Sequence, residues 1–203
     1  MLKIAVLASF NGSNFQAIVD AMQRGALKNV ELAALASNKP DCGAVEKAKA
    51  AGVKTIILKA SKNQPREEYD KQLAAALDEL GVQLVVLAGW FRMLSPWFVK
   101  KYCNKIINLH PSLLPAFPGG CSDAQKRALE WGVKVTGCTV HFVDEGEDTG
   151  PIIVQKTVRV EEGDDEESLS ARIRLKEHEA LIEAIQLIAD NRVSVEGKRV
   201  RIK

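Results

Sequence analysis

The segment Leu84-Val85-Val86-Leu87-Ala88 offers no polar residue to either side, and a strand that is apolar on both faces belongs inside a parallel sheet covered above and below. This run constrains the chain most, and its surroundings share the same rhythm. Leu2 to Ala8 is a short apolar run closed by the polar turn Ser9-Phe10-Asn11-Gly12-Ser13-Asn14. Phe15, Ile18, Val19 and Met22 then recur at helical spacing. Val30 to Ala36 repeats the strand signal before Asn38-Lys39-Pro40-Asp41, and the Ala- and Lys-rich stretch Gly43 to Ala51 reads as a helix. A strand over Thr55 to Leu58 follows. Pro65 with Glu67 and Glu68 opens a helix through Leu80, and Lys105 to His110 is the next strand after the Leu84 run.

Strands alternating with helices imply right-handed βαβ units. The expected fold is therefore α/β, a Rossmann-like, mostly parallel twisted sheet flanked by helices. The pattern changes after Pro111. A Pro-rich loop leads to a helix from about Ser122 to Trp131, then to two strands, Val135 to Phe142 and Ile152 to Val160, close enough in sequence to be antiparallel. Glu166 to Ile188 carries Leu169, Ile173, Leu181, Ile185 and Ile188 at helical spacing, and the final residues suggest a small hairpin about Glu196-Gly197. Neither a repeat nor a flexible linker divides the chain, so residues 1–203 are expected to form a single domain with a break in character between 1–110 and 111–203.

Composition narrows the function classes. An apolar content of 46% in 203 residues is ample for a core, and a net charge of +2 is too weak to predict a nucleic-acid or membrane surface. Cys42, Cys103, Cys121 and Cys138 are too sparse for a disulfide framework, and no apolar run approaches the roughly 18 residues that span a membrane. A soluble protein of the reducing cytoplasm is expected.

Two places carry chemistry. The turn Asn11-Gly12-Ser13-Asn14 stands between the first strand and first helix, where free N–H groups and the helix dipole favour an anion such as a phosphate. It is neither the Gly-x-Gly-x-x-Gly fingerprint nor a Walker P-loop, and plain capping by Ser13 or Asn11 would use the same residues. Downstream, Asn108 and His110 are two apart at the carboxyl end of a strand, so both face one side, where α/β sheets bind ligands. An amide beside an imidazole supplies donors for a developing oxyanion. Asp148, in Asp148-Thr149-Gly150-Pro151, is either an ordinary turn aspartate or a carboxylate partner that would raise the imidazole pKa. Three separated histidines suggest no metal.

Asn108-Leu109-His110-Pro111-Ser112-Leu113-Leu114-Pro115 followed by Asp148-Thr149-Gly150-Pro151 resembles the folate-dependent formyltransferase superfamily. Asn11 to Ile18, Ser37-Asn38 and Leu87 to Ser95 further resemble its phosphoribosylglycinamide formyltransferase family, nearly end to end. The resemblance implies a catalytic trio of Asn108, His110 and Asp148. It implies that Asn11, Gly12, Ser13 and Asn14 hold the phosphate of glycinamide ribonucleotide and that Glu177 binds its ribose, with Arg174 and Lys176 nearby. It places 10-formyltetrahydrofolate, the formyl-donor cosubstrate, against Phe91, Arg92, Met93, Leu94, Val143, Asp144 and Asn108, with Arg66 as a folate contact. The 1–110 part is then a nucleotide-binding half and 111–203 the folate-binding and C-terminal helix part. The implied partners are two small molecules, without nucleic acid or membrane, for a monomer or homodimer. Formyltetrahydrofolate hydrolase and tRNA formyltransferase are alternatives within the superfamily, and a non-catalytic nucleotide-binding module is one outside it.

Two departures from the family pattern stand out: Phe10 where glycine is usual, and Cys121 and Asp123 where a His-x-His is usual.

Overall fold

The computed structural model describes residues 1–120 and 123–203, which form two compact units, Met1–Ile107 and Asn108–Lys203. The Ser122 start expected for one helix and Cys121 lie outside the described residues.

In the first unit, β1 (Leu2–Leu7), α1 (Ser13–Gln23), β2 (Val30–Ser37), α2 (Gly43–Ala50), β3 (Thr55–Ile57), α3 (Arg66–Glu79) and β4 (Leu84–Leu87) alternate as the apolar periodicity predicts. The strands stand in the order β3-β2-β1-β4, all parallel. Every residue of β4 is buried, in keeping with its two apolar faces. Phe15, Ile18, Leu35, Leu73, Leu77 and Phe98 fill the space between this sheet and its helices.

One element was not foreseen. The short helix α4 (Pro96–Lys101) has its proline in the first turn, and the Ser95 hydroxyl at its N-cap accepts the Phe98 N–H at 3.3 Å. Strand β5 (Ile106–His110) then carries the chain from the first unit into the second.

The second unit contains α5 (Ala124–Glu130), the antiparallel pair β6 (Val135–Phe142) and β7 (Ile152–Arg159), and the long helix α6 (Glu166–Ala189). Asp165 and Ser168 close a capping box at the start of α6, and Leu169, Ile173, Leu181 and Ile185 bury its apolar stripe against β6 and β7. Gly137 on β6 leaves no room for a side chain, since a Cβ there would lie 1.9 Å from the Lys156 carbonyl of β7. A small hairpin, β8 (Val193–Glu196) and β9 (Arg199–Ile202), ends the chain. The architecture is thus α/β: a parallel sheet with flanking helices in the first unit, and antiparallel strands with helices in the second. Among the described residues no helix is long and apolar enough to cross a membrane.

Candidate active site

In the second unit, the end of β5, the β6–β7 loop and the end of β6 bring three polar side chains together around one carboxylate. Asp148 Oδ2 lies 3.1 Å from His110 Nδ1 and accepts the Gly119 N–H at 2.9 Å. Its Oδ1 accepts the Asn108 amide at 3.3 Å and stands 3.5 Å from His141 Nε2. The two histidine side chains are each 2% exposed and that of Asp148 is 12% exposed, so these contacts are shielded from water.

His141 is held between its neighbours. Its Nδ1 donates to the Phe142 carbonyl at 2.8 Å, and its Nε2 stands between the Asn108 amide nitrogen at 3.2 Å and Asp148 Oδ1 at 3.5 Å. The Asn108 amide, which donates to Asp148, is thus set in place by both groups. His141 belongs to no motif read from the sequence. The available signal was the spacing of Thr139 and His141, two polar residues on one face of a strand that is buried from Thr136 to Phe142.

His110 also donates through Nε2 to the Phe117 carbonyl at 2.9 Å. Two groups hold that carbonyl and its neighbour in place. Arg127 donates to Phe117 O at 3.1 Å and to Pro118 O at 2.9 Å, and the Ser112 hydroxyl reaches Ala116 O at 2.5 Å. Asp123 pairs with Arg127 at 3.2 Å, so the residue that replaces a usual histidine steadies the arginine that braces this loop.

Both His110 nitrogens face acceptors, an arrangement that only the imidazolium satisfies fully. Burial nevertheless pulls the His110 pKa below its ordinary value, against the opposing pull of the Asp148 carboxylate and the Phe117 carbonyl. The net direction is the reverse of the rise expected from the sequence, because near-complete desolvation outweighs one carboxylate. For Asp148, burial pushes the carboxyl up, but the His141 ring, His110 and the Gly119 N–H together hold it below the usual carboxylate range. The carboxylate is thus ionised at neutral pH.

Asp148 has φ 53, a left-handed conformation that aspartate tolerates better than most residues. Gly150, two residues on, has no alternative: a Cβ there would lie 1.7 Å from the Phe142 carbonyl.

The first unit holds the other expected site residues. Gly12 is the N-cap of α1, with φ 75 and no side-chain cap, so neither Ser13 nor Asn11 caps the helix. A Cβ at Gly12 would meet Ala44 Cα at 2.6 Å, which shows how closely α2 backs the turn. Lys47 of α2 donates to Asn11 O at 3.0 Å and to Asn11 Oδ1 at 2.9 Å. Ser13 and Asn14 are half-buried in the first turn of α1.

Phe10 is accommodated without backbone strain, since it is absent from the residues with positive φ. Its ring meets that of Phe91 edge-on at 5.8 Å, with Lys39 Nζ 4.9 Å from the Phe10 centroid. Ser9 ties this corner together by donating to Asn38 at 2.7 Å and accepting the Phe91 N–H at 3.1 Å. Phe91 and Met93 are exposed, Arg92 and Leu94 half-buried, and the Arg92 guanidinium stacks 4.2 Å over Tyr69. Arg66 is exposed at the start of α3.

Val143 and Asp144 lie in the β6–β7 loop of the second unit. Glu177 is half-buried on α6, and Lys176 beside it is paired with Glu179 at 2.8 Å. Burial, with Glu177 adding to it, pushes the Cys138 thiol up to about 12, which makes it inert. Among the described residues no group of three or more His, Cys, Asp or Glu is placed to hold a metal ion.

The site geometry coincides with clear relationships. Residues 2–185 match the formyl transferase family model. Phosphoribosylglycinamide formyltransferase of Escherichia coli is 42% identical over 194 residues, covering 96% of this chain and 90% of that protein. The crystal structure of glycinamide ribonucleotide transformylase 1 from Symbiobacterium toebii superposes with a TM-score of 0.95 at 46% identity, covering 100% of this chain and 94% of that one. The trifunctional purine biosynthetic protein adenosine-3 of Gallus gallus is 43% identical over 194 residues. That alignment takes in 96% of this chain, which spans only 19% of the length of that larger relative.

Proposed function

Because the chain belongs to the formyl transferase family, we propose that it transfers the formyl group of 10-formyltetrahydrofolate to the amine of glycinamide ribonucleotide, yielding formylglycinamide ribonucleotide and tetrahydrofolate in purine synthesis. The observation that carries this reading is the Asp148 carboxylate 3.1 Å from His110 and 3.3 Å from Asn108, in a buried setting. It works as one formyl-transfer domain in the cytoplasm, as a monomer or homodimer, with two small-molecule partners.

In the proposed reaction the neutral amine adds to the formyl carbon, and the carbonyl oxygen becomes an oxyanion. Asn108 and His110 stabilise it. Burial favours the neutral His110 ring in the free protein, and negative charge developing beside the ring pulls the other way, since a nearby anion favours the imidazolium. Asp148 orients the ring and shares its charge, and His141 helps to set the Asn108 amide in place. A proton passes from the attacking nitrogen to the departing folate nitrogen, directly or through water, as the tetrahedral centre collapses.

The nucleotide phosphate is assigned to the first turn of α1, at Asn11, Gly12, Ser13 and Asn14, where the N-cap is a glycine and the N–H groups are not used by a side-chain cap. The ribose is assigned to Glu177. Phe91 to Leu94, Val143, Asp144 and Arg66 are assigned to the folate.

The test is to mix the protein with 10-formyltetrahydrofolate, with and without glycinamide ribonucleotide, and follow folate absorbance. Turnover only with the nucleotide is expected. Turnover without it would make the protein a hydrolase, and no turnover by folded protein would make it a binding module.

A further inference from the structure

The β6–β7 loop that bears Asp148 is held at both ends by a residue far along the chain. Lys198, in the turn of the C-terminal hairpin, donates to Asp144 Oδ2 at 2.6 Å and to the Thr149 carbonyl at 2.7 Å. Asp144 Oδ1 in turn accepts the Thr149 hydroxyl at 2.6 Å and the Gly146 N–H at 3.2 Å. One ammonium and one carboxylate thus close the loop on the residues flanking Glu145 to Asp148.

The hairpin that presents Lys198 is itself braced. Glu196 pairs with Arg199 in its register, Arg201 binds Glu196 at 2.7 Å, and Arg192 donates to the Lys203 carbonyl at 2.6 Å. The loop has little freedom elsewhere, with Asp148 in the left-handed region and Gly150 against the Phe142 carbonyl, so a shift at Thr149 is transmitted to its neighbour Asp148. Lys198 also lies beyond residue 185, where the family match ends.

We propose that Lys198 is a positioning residue: by clamping Asp144 and Thr149 it fixes where Asp148 presents its carboxylate to His110 and Asn108. The proposal rests on the formyl-transfer reading for its kinetic consequence but not for its structural one. Burial raises the Asp144 carboxyl, and Lys198, Thr149 and Gly146 together outweigh it, so the clamp is ionised at neutral pH. Exposed ion pairs add little to global stability, so loss of the clamp alters the loop and leaves the fold standing.

The test compares Lys198→Met and Lys198→Arg with the parent protein by kinetics and by NMR titration of the His110 ring. His110 is faced by Asp148, the Phe117 carbonyl, His141 and Arg127, of which only Asp148 sits on the clamped loop. K198M is expected to lower kcat about tenfold, the penalty of a small misplacement, with KM for glycinamide ribonucleotide unchanged. Its His110 midpoint is expected to fall by about half a pH unit, because the carboxylate that favours the cation retreats. K198R restores both. An unchanged His110 midpoint in K198M overturns the proposal, as does an unchanged kcat in an active parent. Should the parent transfer no formyl group, the functional reading falls while the His110 titration still decides the clamp.

Discussion

The Asn11–Asn14 turn and the cluster around Asp148 are built from opposite materials. The turn relies on backbone: a left-handed glycine, a helix start without a side-chain cap, and a close approach of α2 that admits no Cβ. The cluster relies on side chains, with two imidazoles, an amide and a carboxylate in mutual contact. A backbone site holds fixed charge and is insensitive to pH, whereas a buried side-chain cluster can change its charge as a reaction proceeds. The first suits binding and the second chemistry.

Substitutions can break that division. Asp148→Asn should have the largest effect, lowering kcat about a thousandfold or more, by analogy with loss of the carboxylate that orients a catalytic imidazole. Steady-state kinetics at saturating substrate measure this, and a loss of under tenfold would remove Asp148 from the machinery. His110→Ala should cost about a hundredfold in kcat, the scale of one oxyanion donor. Near-normal turnover there would leave the cluster without its proposed role.

Gly12→Ala tests the other side. The new Cβ must contend with Ala44 at 2.6 Å and with φ 75, so KM for the nucleotide should rise about tenfold with kcat nearly unchanged, the pattern of lost ground-state binding. If kcat falls more than KM rises, the turn shares in the chemistry and the contrast fails.

The smallest effect concerns stability. The unfolded chain protonates His110 near its ordinary pKa of about 6.5, and the folded chain only at lower pH. Between those values the unfolded state binds more protons, so this contribution is present above about 6.5 and is lost as pH falls through the folded value. Thermal unfolding between pH 7 and pH 5 should therefore show a steeper loss for the parent than for His110→Gln, while Gly12→Ala should keep the parent slope. Equal slopes for the parent and His110→Gln would mean that burial does not govern His110.

Much of this was legible in the sequence because it rests on periodicity and on residues with special backbones. The doubly apolar β4, the Pro65 opening of α3 and the stripe of α6 follow from local pattern, and their ends shift by a residue or so where caps decide. Helix α4 escaped because six residues are too few to show a period, although Ser95-Pro96 carried its start signal. His141 escaped because a buried polar residue acquires meaning only from its partners, here Asn108, far along the chain, and Asp148, across a loop. The charge of His110 could not be read either, since it turns on burial, a property of the fold as a whole.

The Phe117 carbonyl on His110 Nε2 has a consequence for pharmacology. An internal oxygen already occupies the donor that an incoming oxygen must use, so each ligand that reaches this nitrogen competes with the protein's own chain. Its apparent affinity equals the intrinsic one scaled by the fraction of molecules in which residue 117 has let go. Loosening the Arg127 brace would enlarge that fraction and sharpen every such ligand equally, whatever its chemistry.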